Sequence, residues 1–365
     1  MTSFDPFEFA HRHRDEVVWM SQNTNTLPMH PAVLDAIRAS VDAREFNLYP
    51  YRPGVFGLPE AVTADLGVED FDILLTNGGI EGEYIATRAL LKPGDEVLAT
   101  DPSFFPIHDQ IAMSGAKPIE IDIYRDPYVV TPEMANEAVT PATKMLLLVD
   151  PNNPLGSGYS RTQVKGLCEI AEDHDLLLID DVTYRDFSPD HVLTTEFVPD
   201  RTLISYSLSK AAGLAGMRVG AILGPKDLLK TVRKFDTNVL GVNVVAQRAA
   251  LAALRTKSEW LPEVLRVCAA NQKSIRAAVG KVDGAFLPVY PAKANMFAID
   301  VSASGVRPED IESALLRDHL IHTRAGSYVS RKSGSKFLRV SFTISEEGCR
   351  RFTQAFPAAI EKLRA

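Results

Sequence analysis

The sequence predicts an α/β fold in which a mostly parallel sheet lies between layers of helices and a smaller α+β domain is attached. Two observations predict it: short apolar runs alternate with amphipathic stretches, and this pattern changes near residue 246. A length of 365 residues suits two domains. We expect a large domain over residues 45–245 and a small domain formed by residues 1–44 and 246–365.

The apolar runs have the composition of strands buried on both faces, as a parallel sheet requires. Between two of them, the stretch 160–175 places Val164, Leu167 and Ala171 on one helical face. Strands that alternate with such helices predict a doubly wound sheet. The runs are FDILLT (71–76), EVLAT (96–100), KMLLLV (144–149), LLLID (176–180) and TLISY (202–206).

The last third of the chain has a different pattern of predicted secondary structure. Long helical patterns are followed by two strand-like segments, 294–301 and 337–342, and then by a closing helix. This mixture of separate helices and strands predicts the smaller α+β domain.

Composition excludes several classes of protein. The 47 acidic residues outnumber the 39 basic ones and give a net charge of −8, which argues against a nucleic acid or an anionic membrane as partner. Three widely spaced cysteines form no CxxC pair, so we expect no metal site and a reducing compartment. No apolar run resembles a signal peptide or a membrane span, and we therefore expect a cytoplasmic protein.

A polar motif follows each apolar run. Loops at the carboxyl ends of strands form the ligand site in open α/β sheets, so we expect these motifs to converge on one crevice. Taken singly, the first four are also explained as turns, helix caps or core residues. The motifs are NGGIEG (77–82), DPSFF (101–105), PNNPLG (151–156), DVTY (181–184) and SLSK (207–210).

Lys210 is harder to explain as packing, because it lies among small residues in SYSLSKAAGLAGMRVG (205–220). Burying it unpaired would cost several kcal/mol, so its amine needs a partner or a covalent role. Pyridoxal phosphate offers a carbonyl to such an amine, together with a phosphate, a pyridine nitrogen and a phenolate oxygen that need ligands. Candidates are Gly79, Ile80, Ser207, Ser209 and Arg218 for the phosphate, Asp181 for the pyridine nitrogen, Asn153 and Tyr184 for the phenolate oxygen, and Phe104 for the ring face.

Four segments resemble the signatures of fold-type I pyridoxal-phosphate enzymes of the class I/II aminotransferase family: SLSKAAGLAGMRVG, PNNPLG, DVTY and FLRVSF. The match runs in order over nearly the whole chain. It implies an aspartate aminotransferase-like fold, with Lys210 as the lysine that forms the Schiff base. Asp181 and Tyr184 would complete the catalytic set, and Arg339 would bind a substrate carboxylate.

NTNTLP (23–28) and LYPYRPG (48–54) are similar to the histidinol-phosphate aminotransferase branch. That similarity implies a homodimer in which Tyr49 reaches the partner's cofactor phosphate, and it adds Asn25 to the substrate-binding residues. The chain departs from the pattern at Ile80, where relatives often carry Thr or Asp, and at Pro59, where arginine is common. These departures leave the substrate open.

Two arginines of the small domain predict a substrate with two polar ends. Arg339 is a charged residue within a strand of otherwise mainly apolar residues, where a core position would be expected. Its planar guanidinium can bind a carboxylate through two parallel hydrogen bonds. Arg324 ends another strand, two residues after His322. If both reach the crevice, one binds the α-carboxylate and the other a distal anionic or polar group. A surface salt bridge is the alternative explanation for Arg339.

The expected activity is transfer of an amino group between an amino acid and a 2-oxo acid. The same machinery also serves lyases, decarboxylases and cyclases, depending on which bond the pocket holds perpendicular to the ring. An effector domain of a transcription regulator would need a basic DNA-binding segment, which the first 45 residues do not provide. A nicotinamide-binding protein would need a GxGxxG motif that opens a βαβ unit, and the sequence has none.

Overall fold

The computed structural model describes residues 4–365, so the predicted segment 1–44 is described from residue 4 onward. The helices are α1 (Pro6–Arg12), α2 (Pro31–Asp42), α3 (Leu58–Leu66), α4 (Gly79–Leu90), α5 (Phe105–Met113), α6 (Pro132–Ala138), α7 (Arg161–Asp173), α8 (Lys226–Val232), α9 (Val244–Arg255), α10 (Lys257–Val279), α11 (Pro308–His319) and α12 (Glu346–Arg364).

The strands are β1 (Val18–Trp19), β2 (Asp72–Thr76), β3 (Glu96–Asp101), β4 (Lys117–Asp122), β5 (Thr143–Val149), β6 (Leu177–Asp181), β7 (Thr202–Ser207), β8 (Gly220–Gly224), β9 (Met296–Asp300), β10 (Ile321–His322), β11 (Arg324–Ala325) and β12 (Phe337–Ser341). The five strands predicted from apolar runs correspond to β2, β3, β5, β6 and β7, with ends that differ by no more than one residue.

The large sheet has seven strands in the order β2-β8-β7-β6-β5-β3-β4. β8 runs antiparallel to both of its neighbours, and all other pairs are parallel. The prediction of a mostly parallel sheet between helices is confirmed.

The strands are apolar throughout because helices cover both faces of the sheet. In β5, Met145 and Leu147 face a core shared with α4 and α5. Leu146 and Leu148 face the opposite core, where α7 packs. Successive side chains of a strand point to opposite faces, so burial on both sides requires an unbroken apolar run.

The strand register aligns the loops that carry the polar motifs. Asp181, the last residue of β6, lies opposite Val149 of β5 and Ser205 of β7. Because these strands are parallel, the loops after β5, β6 and β7 leave the sheet at one edge. The sheet thereby brings together segments that lie far apart in the sequence.

The last third of the chain contains a second, smaller sheet. β12 lies between β11 and β9, antiparallel to both, and β10 pairs with β1 near the N-terminus. α10, α11 and α12 contribute to a core that includes Phe297, Phe342, Phe352 and Phe356. Segments from both ends of the chain thus pack together, and the antiparallel sheet with its helices is the α+β arrangement that the sequence predicted.

The packing of α2 and α9 bears on where the two domains divide. Val33 of α2 and Ala249 of α9 belong to the same core as Leu75 of β2 and Ile204 of β7. Both helices therefore pack against the large sheet, and the boundary predicted at residue 246 falls inside α9. The division at 44/45 and 245/246 stays a prediction, and these contacts favour assigning both helices to the large domain.

Across residues 4–365, no helix combines the length and the apolar character needed to cross a bilayer.

Candidate active site

A cavity of about 440 Å³ lies at the carboxyl edge of the large sheet, where residues of the small sheet approach it. Twelve of the fourteen predicted site residues line it: Gly79, Ile80, Phe104, Asn153, Asp181, Tyr184, Ser207, Ser209, Lys210, Arg218, Arg324 and Arg339. The loops that follow the strands therefore converge, as the position of the motifs predicted.

The other two predicted residues lie elsewhere. Tyr49 is 78% exposed and lies outside the cavity of its own chain. Asn25 donates from Nδ2 to the Ala211 carbonyl (2.8 Å) and accepts at Oδ1 from the Leu27 N–H (2.9 Å), so both ends of its amide are used within the chain. Asn23, two residues earlier, lines the cavity in its place.

One end of the cavity is suited to an anion. α4 begins there without a side-chain cap, because its N-cap residue is Gly78 at φ 84°. The Arg218 guanidinium lies against that turn and donates to the carbonyls of Asn77 (3.1 Å) and Ala215 (2.9 Å). A Cβ at Gly78 would lie 2.7 Å from Arg218 Nη2, so only glycine permits this approach. Helix N–H groups beside a guanidinium form a phosphate site.

Hydroxyl groups complete this end of the cavity. Ser207 and Ser209 both line it, and the Ser207 hydroxyl accepts from the Ser209 N–H at 3.2 Å. Their hydroxyl hydrogens can turn toward an anion, since a serine O–H rotates freely about its C–O bond.

Lys210 lines the same cavity as this anion site. Its Nζ donates to the Gln22 carbonyl at 3.2 Å. Burial, followed by the nearby positive charges of Arg339 and Arg218, lowers the pKa of Lys210 to about 8, although Asp181 acts in the opposite direction. A substantial fraction of the amine is therefore neutral close to physiological pH, as a nucleophile or proton carrier requires.

Asp181 is a buried carboxylate at the end of β6. Its Oδ1 accepts from the Thr183 N–H (3.1 Å) and the Thr183 hydroxyl (2.5 Å). Burial raises its pKa, while those two hydrogen bonds and the Lys210 ammonium favour the charged form. Asp180 points to the opposite face of the sheet and accepts from Thr194, so strand alternation leaves only Asp181 for the cavity.

A polar network joins the two sheets beside Tyr184. Asn23 Nδ2 is 3.3 Å from both the Tyr184 hydroxyl and Asn153 Oδ1. Arg339 Nη1 donates to the same Asn153 oxygen at 3.0 Å, and Nη2 donates to the Ser21 carbonyl. Burial lowers the pKa of Arg339 to about 10 and raises that of Tyr184 to about 12. Among residues 4–365, Arg339 Nε has no hydrogen-bond partner, so the guanidinium keeps a donor for a ligand.

Arg324 forms the far wall of the cavity. Its Cζ lies 4.2 Å from the centre of the Phe7 ring and 4.0 Å from that of Tyr328, so the guanidinium is held between two aromatic rings. Burial lowers its pKa, and Glu312 favours its charged form. Within the described chain its Nη1 has no hydrogen-bond partner.

Several cavity residues were not predicted from the sequence. Asn23, Thr183, Glu83, Phe7 and Tyr328 all line it. Thr183 could have been found, since it lies two residues after Asp181 within the DVTY motif. The others carry no local signal, because their position depends on how distant segments pack.

Comparison with known proteins agrees with this geometry. Residues 15–356 match the family model described as aminotransferase class I and II. An aspartate aminotransferase of Pyrococcus horikoshii is 26% identical over 313 residues, which cover 82% of this chain and 79% of that protein. A histidinol-phosphate aminotransferase of Methanosarcina mazei is 27% identical over 335 residues, covering 91% and 86%.

Among solved structures, an N-succinyldiaminopimelate aminotransferase of Mycobacterium tuberculosis has the same fold. Its TM-score is 0.87 at 22% identity, with 97% of this chain and 95% of that chain covered. The chain belongs to the class I and II aminotransferases. It is an enzyme that moves an amino group between an amino acid and a 2-oxo acid.

The lowered pKa of Lys210 gives a prediction for the protein with no ligand added. Only a neutral amine reacts with an acylating reagent, so the labelling rate of Lys210 should rise through a midpoint near pH 8. In Arg339→Gln the midpoint should move to higher pH, because a neighbouring positive charge is removed. Peptide mass spectrometry measures the rate, with exposed Lys165 as the reference for reagent reactivity. An unchanged midpoint in the variant would contradict this account of the amine.

Proposed function

We propose that the cavity binds pyridoxal phosphate, that Lys210 is its covalent partner, and that the amino acid it acts on carries a second anionic or polar group. The observation that carries the proposal is the arrangement of charges around one cavity. A lysine amine of lowered pKa, an anion site and a buried carboxylate line the same cavity, together with two arginines that each keep a donor without a partner among residues 4–365.

The residues present fit each part of the cofactor. The uncapped start of α4, Arg218 and the hydroxyls of Ser207 and Ser209 suit a phosphate. Asp181 suits the protonated pyridine nitrogen, and Phe104 suits the face of the ring. Tyr184 and Asn153 suit the ring oxygen. Their side-chain polar groups lie close together, because the Tyr184 hydroxyl and Asn153 Oδ1 are both within hydrogen-bonding distance of Asn23 Nδ2.

Bound in this way, pyridoxal phosphate supplies a carbonyl that accepts the amino group and a ring that withdraws electrons from the α-carbon. Asp181 holds a proton at the pyridine nitrogen, because its buried carboxylate is stabilised by a cation beside it. With the cofactor present, the free Lys210 amine would take the α-proton of the substrate at Nζ and deliver it to the carbonyl carbon of the cofactor, as transfer of the amino group requires. Arg339 binds the α-carboxylate, which orients the α C–H bond relative to the ring.

Arg324 supports the proposal of a second polar group on the substrate. Its guanidinium is fixed by Phe7 and Tyr328, and Nη1 is left without a partner among residues 4–365. Burying a donor without a partner is unfavourable, and an anionic group at the far end of the substrate would satisfy it.

An exposed apolar surface supports a homodimer. The segment 46–56 and the segment 235–240 lie next to each other, since Arg52 contacts Asp236 at 3.1 Å. Contiguous apolar surface of this kind marks interaction sites. In a dimer formed through this surface, Tyr49 would reach the phosphate end of the partner's cavity. The exposed residues are Phe46, Leu48, Tyr49, Tyr51, Phe56, Phe235, Val239 and Leu240.

We further propose a cytoplasmic location. Cys168, Cys268 and Cys349 are all unpaired and buried, which suits a compartment that keeps thiols reduced.

The activity is tested by supplying pyridoxal phosphate and a panel of amino acids with 2-oxo acids. Wild-type protein should convert the amino acid to its 2-oxo acid while a second 2-oxo acid gains the amino group. Lys210→Ala should lose nearly all turnover, because no other amine lies in its place. Release of ammonia without amination of the second 2-oxo acid would instead indicate a lyase, an amine that has lost carbon dioxide would indicate a decarboxylase, and a product that keeps both its amino and carboxyl groups would indicate a cyclase.

Substitution of Arg324 tests the distal group of the substrate. Arg324→Ala should lower kcat/KM by about tenfold to a hundredfold for amino acids with a distal anion, since a charged hydrogen bond is lost. Alanine and phenylalanine should be used almost as before. Arg317→Ala, which removes an exposed arginine of α11, is the matched control. Equal losses for alanine, phenylalanine, glutamate and histidinol phosphate would leave Arg324 a structural role.

The dimer is tested with a pair of tyrosine variants. Tyr49→Phe should weaken pyridoxal phosphate binding about tenfold, because one hydrogen bond to the phosphate is lost, while the dimer persists. Tyr51→Phe, which changes a neighbouring exposed tyrosine, should bind as wild type. Sedimentation measures the oligomer, and a monomer that stays fully active at high dilution would contradict the proposal.

A further inference from the structure

The cavity contains a second carboxyl group for which the proposed function gives no role. Glu83 lies on α4, five residues after the N-cap, and its side chain lines the cavity. It is only 3% exposed. A buried carboxyl group is costly, so its retention at this position calls for an explanation.

Glu83 lies over two neighbouring strands of the large sheet. Asp181 of β6 and Ser205 of β7 are register partners, so their side chains lie side by side on the face that α4 covers. Glu83 and Asp181 are both buried and line the same cavity, and the negative charge of Asp181 raises the pKa of Glu83. Gly79 and Glu83 are one helical turn apart, and a Cβ at Gly79 would lie 2.8 Å from Ser205 Oγ. The start of α4 is therefore pressed onto this part of the sheet.

Two neighbouring buried carboxyl groups cannot both be ionised, so the pair holds one proton. Asp181 is the group stabilised as an anion, because Oδ1 accepts two hydrogen bonds from Thr183 and the Lys210 ammonium lies nearby. Within residues 4–365 the Glu83 carboxyl has no comparable pair of donors: the neighbouring Ser205 hydroxyl favours its charged form, but that hydroxyl forms no hydrogen bond in the structure. Burial and the Asp181 charge raise the pKa of Glu83 well above its usual range.

We propose that Glu83 is a positioning residue: a neutral carboxylic acid that donates a hydrogen bond to the Asp181 carboxylate and fixes its orientation. The proposal rests on the proposed function, in which Asp181 faces the pyridine nitrogen. With Thr183 holding one oxygen of Asp181 and Glu83 also bound to the carboxylate, the group cannot rotate away from the ring. Because Glu83 is neutral in this pair, it adds no second negative charge beside Asp181.

Two substitutions distinguish the hydrogen bond from packing. Glu83→Gln keeps a donor of the same length, and it should retain cofactor affinity and turnover within about threefold of wild type. Glu83→Leu keeps the volume and removes the donor. It should weaken pyridoxal phosphate binding and lower kcat by about tenfold each, with KM little changed, since a hydrogen bond to a charged group is lost.

The control for packing is Ile85→Val, a buried residue of the same helix. It should lower the melting temperature while leaving the cofactor's visible absorbance and its pH titration unchanged. Glu83→Leu should alter that titration, because the orientation and basicity of Asp181 change. A Glu83→Leu enzyme that differs from wild type in melting temperature alone would overturn the proposal.

The protonation state is measured without the cofactor. Infrared spectra of the apoprotein at neutral pH should contain the carbonyl stretch of a protonated carboxylic acid, which isotope labelling of glutamate shifts and Glu83→Gln removes. If the band is absent from wild type, Glu83 is ionised and the proposal is wrong, whether or not the leucine variant folds. Failure of the wild-type protein to bind pyridoxal phosphate would instead refute the proposed function.

Discussion

The desolvation of charged groups around one cavity is the constraint on which the rest of the site depends. Lys210, Arg339 and Asp181 have all lost most of their contact with bulk water, and Arg339 and Asp181 act in opposite directions on the pKa of Lys210. Burial and the positive charges of Arg339 and Arg218 lower the pKa of Lys210, and the negative charge of Asp181 limits that effect. Amine reactivity at physiological pH thus follows from charges that the fold holds at fixed positions.

The apolar sheet makes this concentration of charge possible. β5, β6 and β7 are buried on both faces, so their stability comes from packing and does not depend on the polar residues at their ends. Their parallel register then directs the following loops to one edge. A site whose residues lie on several strand ends is held more rigidly than one built on a single loop.

The small sheet and the N-terminal segment close the cavity from the other side. Arg339 donates hydrogen bonds to Asn153, in the loop after β5, and to the Ser21 carbonyl, so three distant parts of the chain meet at one guanidinium. Arg324 is held by Phe7 of α1 and by Tyr328. The two arginines are thus fixed before a substrate arrives, which lowers the entropic cost of binding it.

The sequence predicted the parts of the structure that have a local signal. Strands were recognisable because two-sided burial leaves an unbroken apolar run, and Lys210 was recognisable because a charge among small residues is unusual. Glu83 was missed because an acid inside an amphipathic helix has the pattern of a solvated face.

Contacts between distant segments had no such signal. The NTNTLP motif offers two asparagines, and only the fold determines that Asn23 faces the cavity while Asn25 bonds to Ala211. Phe7 becomes part of the site through the packing of α1 beside the small sheet. Such residues can be predicted only once the tertiary arrangement is known.

The most direct test of the central claim is to locate the covalent bond between the protein and its cofactor. Wild-type protein incubated with pyridoxal phosphate is reduced with borohydride, digested and analysed by mass spectrometry. The account predicts that the pyridoxyl group is found on Lys210, within the segment 205–220. A label found on another lysine, or no stable label at all, would contradict it.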